Sequence, residues 1–205
     1  VVYVLQGGID LLFCFDPRPN NYGENYYHLL QYKQIYNTKI IQRVGDVGTH
    51  GKPDLTNLVK YGLDKSDYFI FPSDWARQQV GFDKSNFKIV HNAPMSEFYS
   101  NRSNNSALTG VPTIVTHHWS TNVKKGFQFY QEFDDFCHKT GKFKFHYIGQ
   151  LPNNCAIRSR TDPLGVPDLI KILPSFDIYL TASEEEAGAN HVLEAMASGL
   201  PVVYR

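Results

Sequence analysis

Short apolar, β-branched and aromatic runs recur along the chain, each followed by a longer mixed stretch, and this alternation constrains the fold more than any other feature. A run of about 4–8 such residues is the length of a buried strand. A longer stretch with apolar residues at helical spacing is the crossover that a parallel neighbour requires. Repetition of the pair gives βα units around a mainly parallel sheet. The pattern predicts strands at Leu11–Phe15, Lys39–Val44, Tyr68–Phe71 and Phe87–His91, then at Pro112–Thr116, Phe143–Ile148, Asp177–Thr181 and Pro201–Tyr204. Helices are predicted over Tyr26–Tyr36, over Asp74–Val80 with Ser73 as its N-cap, and after Gly126. On that last helix Phe127, Tyr130, Phe133, Asp134 and Cys137 form one buried stripe.

One stretch breaks the rhythm. Tyr99–Gly110 reads YSNRSNNSALTG, with four Asn or Arg, three Ser and almost nothing to bury, so it is read as a linker. It divides the chain into lobes of residues 1–100 and 109–205. Two βα halves joined by a polar linker imply a cleft, because open parallel sheets bind ligands beyond the carboxyl ends of their strands. Composition excludes other classes. At 42% apolar and 20% charged residues the 205-residue chain is not disordered. Twenty basic residues balanced by twenty acidic ones disfavour a nucleic-acid partner. No apolar run approaches the roughly 18 residues of a membrane span, and no signal peptide is visible. Three widely spaced cysteines, Cys14, Cys137 and Cys155, make neither a disulfide framework nor a zinc knuckle, so a cytoplasmic, reducing setting is expected.

The densest chemical signal is Glu184–Val203, EEEAGANHVLEAMASGLPVV. It follows the apolar run Asp177–Thr181. Val192, Ala195 and Met196 are expected to form the core face of the helix that follows Gly188. Glu186 falls on the loop at the strand end and Glu194 on the helix wall, so both face one pocket. A carboxylate accepts hydrogen bonds from adjacent hydroxyls, which is the chemistry of holding a ribose or a hexose. Gly188 leaves the first amides of the helix, at Ala189 and Asn190, free for an anion.

In this string Glu186, Gly188, Glu194, Ala195, Met196, Ala197, Gly199, Pro201, Val202 and Val203 match in register the E-x7-E segment of the retaining glycosyltransferases of family four, which the chain resembles. Thr116–Gly126, THHWSTNVKKG, is similar to that family's first C-lobe loop, where a Lys-Gly pair opens a helix. Phe69–Trp75 and Lys88–Phe98, which contains Asn92, resemble the end of its N-lobe. The resemblance covers roughly residues 39–205 and implies a GT-B-like α/β fold. That fold has two Rossmann-like lobes with parallel sheets facing a cleft, here incomplete at both ends. It implies transfer of a hexose from a nucleoside-diphosphate sugar to a hydroxyl of a glycan, lipid or protein, with retention of configuration. No cofactor beyond that co-substrate is implied. By the same resemblance Glu186 and Lys125 are catalytic, Lys125 contacting the donor diphosphate, and Glu194 binds the donor ribose. Gly188, Ala189 and Asn190 are read with them as donor-binding, and Ser120 and Asn122, or Lys124, as the residues that stand in on the donor for a phosphate-sharing arginine that this chain lacks.

Two departures stand beside the match. The family's Gly-Arg pair before the lysine is replaced by His118-Trp119, and its N-terminal Gly-rich loop has no counterpart beyond Gly7-Gly8. They favour an alternative reading, a non-catalytic GT-B module that binds a nucleotide sugar or glycan; a nucleotide-sugar epimerase is a further one. On the acceptor side, Gly45-Asp46-Val47-Gly48-Thr49-His50-Gly51 follows a predicted strand, and Arg43, Asp46 and His50 are expected to flank the cleft. No D-x-D triplet is present. His117 and His118, adjacent on an extended segment, point to opposite faces, so metal-independent chemistry is expected.

Overall fold

The computed structural model of the protein describes residues 5–47, 53–101 and 110–205. The chain divides into two compact units, Val1–His91 and Asn92–Arg205. Both are parallel α/β sheets. Most of the polar stretch read as a linker, residues 102–109, lies outside the described residues.

The first unit holds a four-stranded parallel sheet in sequential order: β1 (Leu11–Cys14), β2 (Lys39–Arg43), β3 (Tyr68–Phe71) and β4 (Phe87–Ile89). Helices α1 (Tyr26–Tyr36), α2 (Pro53–Gly62) and α3 (Asp74–Gln79) alternate with them. The caps are local. Asn25 accepts from the Tyr27 amide while His28 answers to the Asn25 amide, and Ser73 accepts from the Ala76 amide. Leu12, Cys14, Tyr26, Tyr32 and Ile40 make one cluster of the core. Phe69, Phe71, Phe82 and Phe87 pack ring against ring beside β3 and β4.

In the second unit, α4 (Ser96–Ser100) precedes β5 (Thr113–His118), α5 (Phe127–Thr140), β6 (Lys144–Gly149), β7 (Arg160–Thr161), α6 (Val166–Ile172), β8 (Ile178–Thr181), α7 (Asn190–Ala197) and β9 (Val202–Tyr204). The sheet is parallel throughout, in the order β7-β6-β5-β8-β9. Central strands are buried on both faces, as a parallel sheet between helices requires. Pleating sorts their side chains. Ile114 joins Phe127, Tyr130, Phe145 and Leu180 on the α5 side, and Val115 joins Leu169, Leu173, Tyr179 and Ala195 on the side of α6 and α7.

Two predictions are corrected. Strand β5 does not end at Thr116, because its ladder with β6 continues through His117↔Ile148 and His118↔Gly149. On α7, Met196 is not core but 58% exposed. The inward face runs through His191, Ala195 and Ser198, since the His191 imidazole is satisfied by Thr181 and takes an inward position that hydropathy alone assigns elsewhere. Among the described residues no helix is long and apolar enough to cross a membrane.

Candidate functional site

In the second sheet the chain runs outward from β5 to β6 and β7, then returns to place β8 on the other side of β5. Strand order therefore reverses between β5 and β8, and such a switch point leaves a crevice outside the carboxyl ends of the strands. Here the two strands part early. β5 and β8 are in register only at Ile114↔Ile178 and Val115↔Tyr179, although both continue toward the carboxyl edge. Two fully buried tyrosines fill the splay. The Tyr179 hydroxyl accepts from the His117 amide at 3.1 Å and lies 3.3 Å from the His117 carbonyl. The Tyr130 hydroxyl accepts from the Ala182 amide at 2.8 Å and bonds His118 Nε2 at 2.8 Å.

Two loops meet at this point. The first follows β5, makes a 3-10 turn over Val123–Lys125 and enters α5 through Gly126. Gly126 has φ +79°, and a Cβ there would come within 2.4 Å of the Ala182 carbonyl oxygen, so the residue must be glycine for the loops to approach. The second runs from Ala182 to Ala189. Lys125 Nζ donates to Glu186 Oε1, with the two side chains only 13% and 21% exposed. His191 Nδ1 lies 3.7 Å from the same oxygen. Lys124 bridges to Glu184 at 3.1 Å and to Glu185 at 3.5 Å.

Glu194, on α7, is held by a strand. Its Oε2 accepts from His117 Nε2 at 2.8 Å, a bond that fixes the imidazole proton on Nε2 because a carboxylate only accepts. His118, on the opposite face of β5, is held by burial well below the ordinary histidine pKa, with the neighbouring His191 and Lys125 charges adding to the effect. His191 is lowered in the same way, by burial first and then by His117 and Lys125. Both are neutral at pH 7. Among the described residues no group of three or more His, Cys, Asp or Glu side chains is arranged to hold a metal ion.

The remaining candidates divide. No side chain caps α7, so its first turn presents backbone amides at Ala189 and Asn190. Asn92 braces this turn, donating to the Gly188 carbonyl at 2.9 Å and to Asn190 Oδ1 at 2.8 Å. Asn122 Oδ1 accepts from the Lys124 amide, and Ser120 Oγ accepts from the Asn122 amide, so both side chains shape the loop. His117 and Asn92, which bond to candidate site residues, are not singled out by sequence reasoning, and Asn92 is visible there only as part of a resembling segment. In the first unit Arg43 ends β2 with its guanidinium 4.6 Å from the Phe15 ring centroid, and burial lowers its pKa. Asp46 follows in the same segment and acts electrostatically on Arg18, which is bound chiefly to Asp16. His50 lies outside the described residues.

The chain matches no protein-family model and no curated protein. Solved structures do match. WaaG, a glycosyltransferase involved in lipopolysaccharide biosynthesis, superposes with a TM-score of 0.63 at 14% identity over 90% of this chain and 65% of that one. TarM gives 0.61 at 15% identity over 95% and 40%. An alpha-glucosyltransferase in complex with UDP-glucose and DNA containing an abasic site gives 0.59 at 14% identity over 95% and 60%. The chain thus spans about two fifths of TarM and under two thirds of each of these proteins. With two sets of parallel strands and these neighbours, its fold is that of the GT-B glycosyltransferases.

Proposed function

We propose that the chain is the donor-binding portion, with part of the acceptor side, of a retaining glycosyltransferase similar to those of family four. It transfers a hexose from a nucleoside-diphosphate sugar to a hydroxyl acceptor. The observation that carries this reading is the meeting of Lys125 with Glu186, beside Glu194, at the switch point of a sheet whose fold glycosyltransferases share. Lys125 and the amides of Gly188, Ala189 and Asn190 bind the diphosphate, aided by the dipole of α7. Glu186 binds the hexose hydroxyls and Glu194 the ribose hydroxyls. Negative charge grows on the departing diphosphate as the glycosyl bond breaks, and an ammonium in a water-poor crevice stabilises it more than one in bulk water. Holding donor and acceptor together supplies the rest. The nucleotide sugar is the only co-substrate invoked, and no step is assigned to a metal. Arg43, Asp46 and His50 belong to the acceptor side, where a glycan, lipid or protein hydroxyl is received. The three free cysteines fit a cytoplasmic setting.

A second reading is favoured by one observation. The phosphate-sharing arginine expected from the resemblance is replaced by His118, buried and bonded to Tyr130, and Trp119, 69% exposed, so neither supplies a second cation. A module that binds a nucleotide sugar without turnover follows from that. A thermal-shift panel of UDP, GDP, ADP, CMP and their sugars tests the donor site, with Glu194→Ala in parallel. A ligand at about 100 times its dissociation constant adds roughly 2.7 kcal/mol. Stabilisation of the wild type and not of the variant supports the site, and equal behaviour of both refutes it. Product analysis then separates the readings: transferred sugar supports the enzyme, and binding with no product supports the module.

A further inference from the structure

His117 has a single side-chain task. Its ring is buried, Nε2 bonds Glu194 Oε2 at 2.8 Å, and Nδ1 is buried with no hydrogen-bond partner among the described residues. A buried imidazole ordinarily satisfies both nitrogens, so a histidine that leaves one bare for the sake of a carboxylate is placed for that carboxylate. The ring has little freedom. The Tyr179 hydroxyl engages both the amide and the carbonyl of His117, and the Tyr179 ring packs edge-on with centroids 5.4 Å apart. His191 adds a third ring, perpendicular at 6.3 Å.

We propose that His117 is a positioning residue for Glu194, fixing Oε2 from the strand so that Oε1 is presented to a vicinal diol of the ligand, the ribose 2′- and 3′-hydroxyls of a nucleoside diphosphate. This rests on the reading of Glu194 as the ribose-binding carboxylate. The bond is charge-assisted, and its donor is the nitrogen farther from the backbone. Geometry therefore distinguishes two amide replacements. Glutamine carries an N–H at about the reach of Nε2, whereas asparagine carries it near Nδ1, where His117 has no partner among the described residues.

The test is isothermal titration of the wild type, Glu194→Ala, His117→Gln and His117→Asn with UDP, GDP and ADP and with the 2′-deoxy form of each. The readout is the ratio of deoxy to ribo dissociation constants. A hydrogen bond to a charged group contributes about 1.5–3 kcal/mol, so the wild-type ratio is expected to be on the order of 10–100. It should collapse toward one in Glu194→Ala and His117→Asn and stay within about threefold of wild type in His117→Gln. A purely structural role for His117 lowers the melting temperature and weakens both nucleotide forms equally, leaving the ratio intact, and that result overturns the proposal. If His117→Asn does not fold, His117→Gln still decides, because loss of the ratio in a folded glutamine variant also overturns it. Collapse in Glu194→Ala with full retention in His117→Asn overturns the positioning role alone. An unchanged ratio in Glu194→Ala, or no binding of any of these nucleotides by the wild type, overturns the reading of Glu194 and the proposal with it.

Discussion

Lys125 and Glu186 form an ion pair between the loop after β5 and the loop after β8, with both side chains largely withdrawn from solvent. Removing one partner of such a pair leaves the other charge poorly solvated, whereas removing both relieves each. Lys125→Met and Glu186→Gln are each expected to destabilise the protein by about 1–3 kcal/mol, with the double variant costing less than the sum by roughly 0.5–3 kcal/mol. Equilibrium urea unfolding of the four proteins gives the coupling, and strict additivity refutes it. For function, the proposed roles predict that either single change lowers transfer far more than stability.

Gly126 is expected to resist replacement. With φ +79° and the Ala182 carbonyl 2.4 Å from a would-be Cβ, Gly126→Ala combines a left-handed backbone with a forced separation of the two loops. The conformational part alone costs roughly 1–2 kcal/mol, and a chain of this length loses about 2–4 °C per kcal/mol. A fall of at least a few degrees is the expected outcome in a thermal melt. A variant melting with the wild type contradicts the close approach.

Stability should depend on the two neutral histidines. His118 and His191 have folded-state pKa values well below the 6.5 of the unfolded chain, so below about pH 6.5 the unfolded state binds protons that the folded state refuses. Stability therefore rises with pH through this region, is complete above about 6.5, and is lost as pH falls below it. Melting temperature measured at intervals downward from pH 7 should decline before the carboxylates titrate near pH 4. Replacing His191 by glutamine, which keeps a polar contact for Thr181 without a titratable group, should flatten part of the slope. An unchanged slope counts against the buried, neutral assignment.

The exposure of Met196 gives a simple contrast. Met196→Gln should change unfolding free energy by less than about 0.5 kcal/mol, whereas Ala195→Leu, at a position with no exposed surface, should cost roughly 1–3 kcal/mol through overpacking.

Much of this architecture is legible in the residues, for identifiable reasons. Strand β3 lies at Tyr68–Phe71 as the pattern predicts, because its residues are apolar and end at Pro72-Ser73. Helix α1 is likewise found at Tyr26–Tyr36. Helix α2 escapes because only Leu55, Leu58 and Val59 mark its apolar side among Thr, Asn and Gly, weak helix formers. Strand β7 escapes because two residues, Arg160 and Thr161, carry no pattern at all, and α6 because Pro167 in its first turn reads as loop. In that region Arg160 is tied to Asp162 two positions on, and Arg158 to Asp134 and Asp135, distant pairings invisible to spacing. At the site, Glu186, Lys125 and Glu194 stand out through the resemblance of their segments to a known motif, since two carboxylates eight residues apart or one lysine before a glycine would not be conspicuous alone. His117 does not stand out, since its hydrogen bond is to a partner 77 positions away, which only the folded crossover brings near.

The splay between β5 and β8 bears on how the ladder between them ends. Beyond Val115↔Tyr179 the strands are linked through two buried phenol groups, Tyr130 from α5 and Tyr179 from β8, each of which accepts from a backbone amide. Both amides are thus satisfied by side chains rather than by a neighbouring strand, so the end of the ladder depends on two phenol oxygens that phenylalanine would not supply.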